Sequence, residues 1–309
     1  SYYTPTWGFC LAHRVREAMQ EGRYSVDIDT TLAPGALTYA QLVIPGTTSD
    51  EFLIHAHACH PSLANDNLAG LAVATALAKR LASRLSRYTY RFVFAPGTIG
   101  AITWLAQHRE TASNIKHGLV LSCIGDPGGL TYKRSRRGEA TIDRAVAHVL
   151  AEKAQPCTIN DFSPYGYDER QYCSPGFNLP VGVLMRTPNG KYPEYHTSAD
   201  NIDLLSENAL LDSLQSLQSV VDVVERNDRY DNTSPHCEPQ LGRRGLYAST
   251  GGTTKPPGYE MALLWVLNYS DGEHDLIDIS RRSNIAFSTI ARAAAVLQEK
   301  GLLRVALPS

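Results

Sequence analysis

The sequence lacks the features that mark several large protein classes. Its 309 residues carry 29 lysines and arginines against 31 aspartates and glutamates, so the formal net charge is only −2. A nearly neutral chain has no strong long-range attraction for nucleic acid or membrane surfaces. No apolar run approaches the roughly 20 residues that span a bilayer, and the first residues lack the basic and apolar regions of a signal peptide. We therefore expect no membrane association.

Cysteine is scarce and scattered. The six cysteines show no paired spacing, which argues against a disulfide framework and against a four-thiolate zinc site. Scattered thiols fit a reducing compartment, so a cytoplasmic protein is expected. The apolar fraction of 43% is ordinary for a globular protein. The length suggests about two domains.

The middle of the chain alternates strand-like apolar runs with helical segments. Strands are predicted over residues 51–58, 88–95, 117–124 and 179–185, and helices over 71–85, 141–153 and 206–226. This alternation favours an α/β fold with a mainly parallel sheet sandwiched by helices. We assign it to a catalytic domain over residues 49–228.

The flanking segments differ from this pattern. Residues 1–48 are predicted to form a small β-rich subdomain or insertion, because 24–29 and 37–44 partly alternate around a Pro-Gly turn. Residues 229–258 are polar and rich in proline and glycine, which predicts a linker. Residues 259–309 have the helices and final strand of a winged helix-turn-helix domain. Its second helix exposes only Arg292 before Lys300, and phosphate contacts supply most DNA affinity. We therefore expect docking or dimerisation, with a homo-oligomer as one form, rather than nucleic-acid binding.

One stretch concentrates metal-binding side chains. His55-Ala-His57-Ala-Cys59-His60 follows a strand and leads into Asn65-Asp66-Asn67 before a helix. Strand ends that lead into helices gather ligands in open α/β sheets, and imidazole with carboxylate suits zinc or a similar metal. Taken singly, His55 and His60 are equally well explained by packing or capping. We predict metal binding by His57 and Asp66, because a second chemical loop, Tyr195-His196-Thr-Ser-Ala-Asp200, lies downstream.

Two further segments stand out. The loop 161–175 is dense in tyrosines and carboxylates, and loops this long within compact domains are usually functional. The basic run 133–137 is explained either by a solvated surface loop or by a pocket for a carboxylate, which arginine forks suit.

Together these motifs resemble the bacterial leucine-aminopeptidase-like zinc exopeptidases. They are more similar to a subgroup of aminopeptidase-like proteins of unknown function that carry a C-terminal winged helix. The resemblance covers essentially the whole chain and rests on YYTPTWGFCL, HACHPSLANDN, PGTIG, YGYDERQYCSPGFNLPVG and EYHTSADN. It implies a zinc-exopeptidase-like fold. Against members of the subgroup the chain begins late, so an N-terminal portion of the catalytic domain is expected to lie outside this sequence.

The resemblance also implies a ligand set. His57, Asp66 and His196 correspond to the metal ligands of the family, with Asp200 orienting His196 and His60 in reserve. Two imidazoles and one carboxylate with an open fourth position are the arrangement of a catalytic zinc.

The general base of the family is missing at its expected place. Where the exopeptidases have Glu-Glu, this chain has Gly97-Thr98, and their downstream aspartate ligand has no clear counterpart. A single zinc ion is therefore expected. Glu169 is our candidate for a replacement base, because hydrolysis without a base loses about two to four powers of ten in rate. Arg170 and Tyr195 are the candidates for substrate binding. A cluster of Asp168, Glu169 and Arg170 that only holds the loop explains the same residues equally well.

The expected function is a zinc-dependent aminopeptidase-like hydrolase that cleaves an amide bond of a small peptide or aminoacyl conjugate. Two alternatives remain open. The absent base at Gly97 allows a homologue that binds metal or ligand without hydrolysis. An acyl transferase or cyclase could use Cys59 or Cys123 as a nucleophile, because a thiolate beside a metal has a lowered pKa.

Overall fold

The computed structural model describes residues 6–31, 33–246 and 258–307. Within these ranges the strands are β1 (Ala40–Ile44), β2 (Glu51–His57), β3 (Thr89–Ala95), β4 (Ile115–Leu121), β5 (Thr131–Lys133), β6 (Thr158–Asn160), β7 (Val181–Met185), β8 (Arg229–Asn232), β9 (Asp271–Asp275) and β10 (Leu303–Val305). The helices are α1 (His13–Ala18), α2 (Ala69–Ala82), α3 (Ile99–Gln107), α4 (Thr141–Ala151), α5 (Glu169–Tyr172), α6 (Glu207–Arg226), α7 (Tyr259–Tyr269), α8 (Leu276–Ser283) and α9 (Phe287–Glu299).

A seven-stranded sheet in the order β1-β3-β2-β4-β7-β5-β6 forms the centre of the larger unit. The neighbours β3, β2, β4 and β7 run parallel, whereas β1 and β5 pair antiparallel with β3 and β7. Every residue of the interior strand β2 is buried. The predicted mainly parallel sheet is confirmed.

Helices cover both faces of this sheet, as parallel strands require. Helices α2, α4 and α6 bury Leu77, Val146 and Val220 against one face. On the other face α3 and α5 bury Trp104 and Tyr172. Burial of an aliphatic side chain such as Leu77 contributes about 1.5–3 kcal/mol to the stability of the fold. None of the helices in the described ranges is long and apolar enough to cross a membrane.

The expected β-rich subdomain does not form from the described part of residues 1–48. Its second segment supplies β1, which pairs with β3 at the edge of the main sheet. Its first segment, residues 24–29, is exposed and has no strand. The long strand β3 offers β1 a complete partner, so tertiary pairing replaces the local hairpin. Residues 1–5 and 32 lie outside the described ranges.

The C-terminal unit is a winged helix in which β8, β9 and β10 form a sheet beside α7, α8 and α9. Because β8 spans Arg229–Asn232, the start of the expected linker belongs to this unit instead. Residues 247–257 of that linker lie outside the described ranges. Apolar residues of this unit and of α6 belong to one continuous core.

A buried ion pair joins the two units. The guanidinium of Arg144 on α4 donates to Asp275 and, at 2.9 Å, to Asp278, both at the start of α8. The Asn227 amide also donates to Asp275, at 2.9 Å. Burial alone would raise the pKa of Asp275, but Arg144 and Asn227 outweigh it and hold the pKa below its ordinary value. The beginning of α8 is therefore bound to the larger unit.

We expect Arg144→Ala to lower the free energy of unfolding by about 3–5 kcal/mol, because it leaves Asp275 buried without its main partner. Arg84→Ala is the control, since it removes a more exposed pair with Asp222 and should cost about 0–1 kcal/mol. Urea denaturation at neutral pH measures both values.

The same ion pair predicts a pH dependence. The pKa of Asp275 is lowered on folding, so its stabilising contribution is present above its ordinary pKa and is lost as the pH falls below about 4. The stability difference between the wild type and Arg144→Ala should shrink across that range. A difference that stays constant with pH would contradict the assigned role of Asp275.

Candidate metal centre

The site begins at the turn between β2 and α2. The side chain of Asn65 accepts a hydrogen bond from the backbone N–H of Gly125 at 2.8 Å, and that of Asn67 donates to the carbonyl of Leu121 at 2.8 Å. Both bonds fasten the turn to the end of the neighbouring strand β4. Asp66 lies between these two asparagines. It is therefore fixed at the carboxyl edge of the parallel strands, where α/β sheets place ligands.

Three histidines converge on the Asp66 carboxylate. His57 Nε2 lies 2.7 Å from Oδ1, while His196 Nε2 and His60 Nδ1 lie 3.1 and 3.6 Å from Oδ2. Burial alone would raise the pKa of Asp66, but the hydrogen bond from His57 and the charges of the three imidazoles hold it below its ordinary value. The structure thus brings together all three predicted ligands and adds His60.

The donor atoms suit a metal ion. Among the described residues, His60, Asp66 and His196 form one group whose donors lie within 4.8 Å of one another, and His57, Cys59 and His60 form a second. The buried Oδ2 of Asp66 has no hydrogen bond, which is the state expected of an oxygen that faces a cation. Both groups use His60, and a neutral imidazole has a single lone pair. The geometry therefore favours one ion.

Asp200 positions Asp66 rather than His196. Its two carboxylate oxygens accept the backbone N–H groups of Asn65 at 2.6 Å and Asp66 at 3.1 Å. The expected role in orienting His196 is therefore wrong: these amides hold both oxygens. The His196 ring instead stacks on Tyr195, with ring centroids 4.0 Å apart.

Asp168 is a site residue for which the sequence suggested only a role in holding the loop. It is fully buried and accepts the backbone N–H of Thr98 at 2.6 Å. Its other oxygen lies 3.3 Å from His55 Nε2 and 3.8 Å from His57 Nδ1. Burial would raise the pKa of Asp168, but the charges of both histidines and the hydrogen bonds from His55 and the Thr98 amide lower it. Asp168 faces His57 on the side opposite Asp66, as an orienting carboxylate does. The only signal in the sequence was its place in the long loop.

Glu169 does not occupy the place of a base. Its Oε1 lies 2.6 Å from the ammonium of Lys133, and its Oε2 accepts the backbone N–H of Tyr167 at 3.0 Å. Lys133 also donates to the carbonyls of Ser163 and Tyr165. The buried ion pair ties the loop 161–175 to β5, so Glu169 is an anchor of the loop, which corrects the prediction that it replaces the base.

The other charged residues of these segments are distributed differently. Arg170 is exposed at the surface. In the basic run, Lys133 is committed to Glu169, and Arg137 donates to the carbonyl of Asn178 at 2.8 Å. The run therefore holds neighbouring loops in place, and neither explanation drawn from the sequence describes it fully.

Tyr167 fills the space beside Gly97. A Cβ atom at residue 97 would lie 2.1 Å from the Tyr167 hydroxyl oxygen. The Tyr167 ring contacts the edge of His57, with centroids 4.5 Å apart, and its hydroxyl lies 3.2 Å from Cys59 Sγ. A phenol from the long loop thus occupies the space that a side chain at residue 97 would need.

A cavity of about 270 Å³ adjoins the cluster and is lined in part by His57, Cys59, His60 and Asn67. A larger cavity of about 500 Å³ lies beside α3 and α5, and none of the clustered histidines lines it. The smaller cavity is the one beside the clustered histidines, and its volume is near the lower limit for small-molecule sites.

Cys123 does not suit the nucleophile of the transferase alternative. It is fully buried, and burial raises the pKa of its thiol to about 12. It therefore remains a neutral thiol at neutral pH. Cys59, in contrast, is exposed.

In a comparison with known proteins, each of the two units matches a protein family. Residues 5–227 match a family described as a domain of unknown function (DUF4910), and residues 228–305 match a winged helix-turn-helix family. A protein of Clostridium acetobutylicum, whose name assigns it provisionally to polysaccharide biosynthesis with an aminopeptidase-like domain, is 45% identical over 305 residues. That match covers 99% of this chain and 70% of the relative.

Solved structures show the same likeness. A crystal structure from Clostridium acetobutylicum, described provisionally as a peptidase, matches with a TM-score of 0.89 and 43% identity over 99% of this chain and 69% of its own. A zinc aminopeptidase from Bacillus subtilis matches with a TM-score of 0.52 and 17% identity, over 59% of this chain and 49% of its own, which shows the fold alone. The predicted aminopeptidase-like fold and the winged helix are confirmed.

The anchoring role of Glu169 can be tested with a double-mutant cycle. Lys133→Met and Glu169→Gln should each destabilise the protein by about 3–5 kcal/mol, because each leaves one buried charge without its partner. The double variant should lose less than the sum, with a coupling energy of about 0.5–3 kcal/mol. Urea denaturation measures the three values. Additive losses would show that the two side chains do not act as a pair.

Proposed function

The chain belongs to the family described as a domain of unknown function (DUF4910), here joined to a winged helix-turn-helix, and on that premise we propose that it is a metal-dependent hydrolase. Its proposed substrate is an amide bond of a small peptide or aminoacyl conjugate. The observation that carries the proposal is the convergence of three imidazoles on the buried carboxylate of Asp66. The aminopeptidase-like domain named in the Clostridium relative supports the same reaction class.

The proposed ligands are His57, Asp66 and His196, with His60 beside them. Imidazole and carboxylate donors favour zinc, and one ion is proposed. A zinc ion supplies Lewis-acid polarisation of a carbonyl and acidifies water to near neutral pH. The six free thiols of the chain fit a reducing compartment, so we propose a cytoplasmic location.

The protein's own contribution is to hold these donors in place. Asp168 faces the second ring nitrogen of His57 and so favours one orientation of the imidazole. Asp200 holds the backbone at the start of the turn, because it accepts the N–H groups of Asn65 and Asp66. The donors are therefore set by groups buried in the fold, which keeps the site organised before a substrate binds.

Tyr195 is proposed to contact the substrate. It stacks on His196, and burial raises the pKa of its phenol to about 12. The hydroxyl therefore keeps its proton at neutral pH and can donate to an oxygen of the substrate. Arg170 is exposed, so it can reach only the part of a substrate that extends beyond the cavity. The cavity volume of about 270 Å³ supports a small substrate.

The second candidate is a homologue that binds metal or a ligand without hydrolysis. The observation that favours it is the absence of the family's base: Gly97 has no side chain, and Glu169 is committed to Lys133. Proton transfer in a hydrolase would then need another group at the cavity.

We expect His57→Ala and His196→Ala to lose most of the bound metal, because each removes one donor from the Asp66 cluster. Metal analysis of the purified proteins measures this, with His108→Ala as a control, since its ring stacks on Trp104 at the end of α3. Hydrolysis of aminoacyl-anilides should fall by more than about 10–100-fold in the two variants. Full metal retention in both would reject the site, and metal binding without turnover on the panel favours the second candidate.

A further inference from the structure

Cys59 lies at the metal centre, yet the function proposed above does not use it. We propose that the Cys59 thiolate is a ligand of the same ion, so that the centre combines imidazole, carboxylate and sulfur. This inference rests on the proposed function, because it concerns the same site. It adds a soft ligand that the resemblance to the zinc exopeptidases does not imply.

The first argument is the separation of the donor atoms. Cys59 Sγ lies 3.3 Å from His60 Nδ1, and together with His57 these donors lie within 4.8 Å of one another. Zinc binds nitrogen at about 2.0–2.1 Å and sulfur at about 2.3 Å, so two such donors on one tetrahedral ion lie roughly 3.5 Å apart. The observed separation of Cys59 and His60 is that of two ligands of one ion, and His60 also belongs to the donor group of Asp66 and His196.

The second argument is the hydrogen bond offered to the sulfur. The Tyr167 hydroxyl lies 3.2 Å from Cys59 Sγ, close enough to donate to a thiolate. Tyr167 reaches this place because residue 97 is glycine: any side chain there would collide with the phenol. Gly97 therefore leaves the space that the supporting donor of Cys59 occupies.

The third argument is charge. A divalent cation held by neutral imidazoles and Asp66 alone keeps an excess positive charge, and residues 97 and 98 supply no carboxylate. A thiolate from Cys59 supplies the second negative ligand. On binding, the Sγ–metal bond forms as the thiol proton passes to solvent. Sulfur ligation also favours zinc over magnesium or calcium.

The loop that carries Tyr167 is held firmly enough for this role. The two residues that follow Tyr167 are fixed: Asp168 accepts the backbone N–H of Thr98, and Glu169 pairs with Lys133. The Tyr167 ring also packs against His57. The hydroxyl is therefore directed at the sulfur by three independent contacts of the loop.

Cobalt substitution of the full chain tests the ligand directly. We expect the Co²⁺-loaded wild type to show a near-ultraviolet sulfur-to-cobalt charge-transfer band that is absent in Cys59→Ser. Cys157→Ser is the matched control and should keep the band, because the half-buried Cys157 thiol contacts only a backbone carbonyl among the described hydrogen bonds. Cobalt bound without the band, or a band that persists in Cys59→Ser, overturns this proposal and leaves the proposed function standing. No cobalt binding by the wild type overturns both.

Tyr167→Phe tests the supporting hydroxyl while keeping the ring. We expect its affinity for Co²⁺ to fall by about 10–100-fold, as for other groups that support a ligand. Tyr165→Phe in the same loop is the control, since its side chain is 84% exposed, and should bind as the wild type does. Equal affinity of Tyr167→Phe and the wild type would overturn the supporting role.

Alkylation provides a measurement that needs no variant. Bound Zn²⁺ should protect Cys59 from iodoacetamide, whereas Cys10 and Cys237, which are also exposed, should react at the same rate with and without metal. Mass analysis of peptides locates the modified thiols. Equal alkylation of Cys59 with and without Zn²⁺ would overturn the assignment of its sulfur as a ligand.

Discussion

The ionised carboxylate of Asp66 is the constraint on which the rest of the site depends. A charge removed from water costs several kcal/mol unless partners compensate it. Here the three imidazoles of His57, His60 and His196 face it, and the amides of the Asp66 turn are bound by Asp200. The turn, the strand end and the downstream loop are therefore organised around one charge, which also makes the group suitable for a cation.

The long loop contributes side chains to the candidate centre and to its support. Its Tyr167 lies against Gly97, its Asp168 faces His57, and its Glu169 pairs with Lys133. Three consecutive residues thus have three separate roles: one beside the sulfur of Cys59, one beside an imidazole, and one in anchoring the loop. The absence of a side chain at residue 97 is part of this arrangement, because a larger residue there would displace the phenol. The missing side chain at residue 97 and the position of the loop therefore depend on each other.

The winged helix packs against the larger unit through polar and apolar contacts. Arg144 binds the start of α8, and apolar residues of both units share one core. A fold that binds DNA in other proteins here packs against the helices of the larger unit. Docking or dimerisation, weak nucleic-acid binding and homo-oligomer formation all stay predictions.

The sequence by itself determined the elements and indicated the residues of the candidate site. Apolar periodicity and caps such as Ser206 act over a few residues, so α6 and the parallel strands could be placed from local pattern. The motifs likewise indicated His57, Asp66 and His196. Tertiary structure decided what depends on distant contacts: that β1 joins β3, that Asp200 binds the Asp66 turn, and that Asp168 rather than Glu169 faces the histidines. Adjacent carboxylates are equivalent in a sequence, and only the fold determines which one meets Lys133 and which one meets an imidazole.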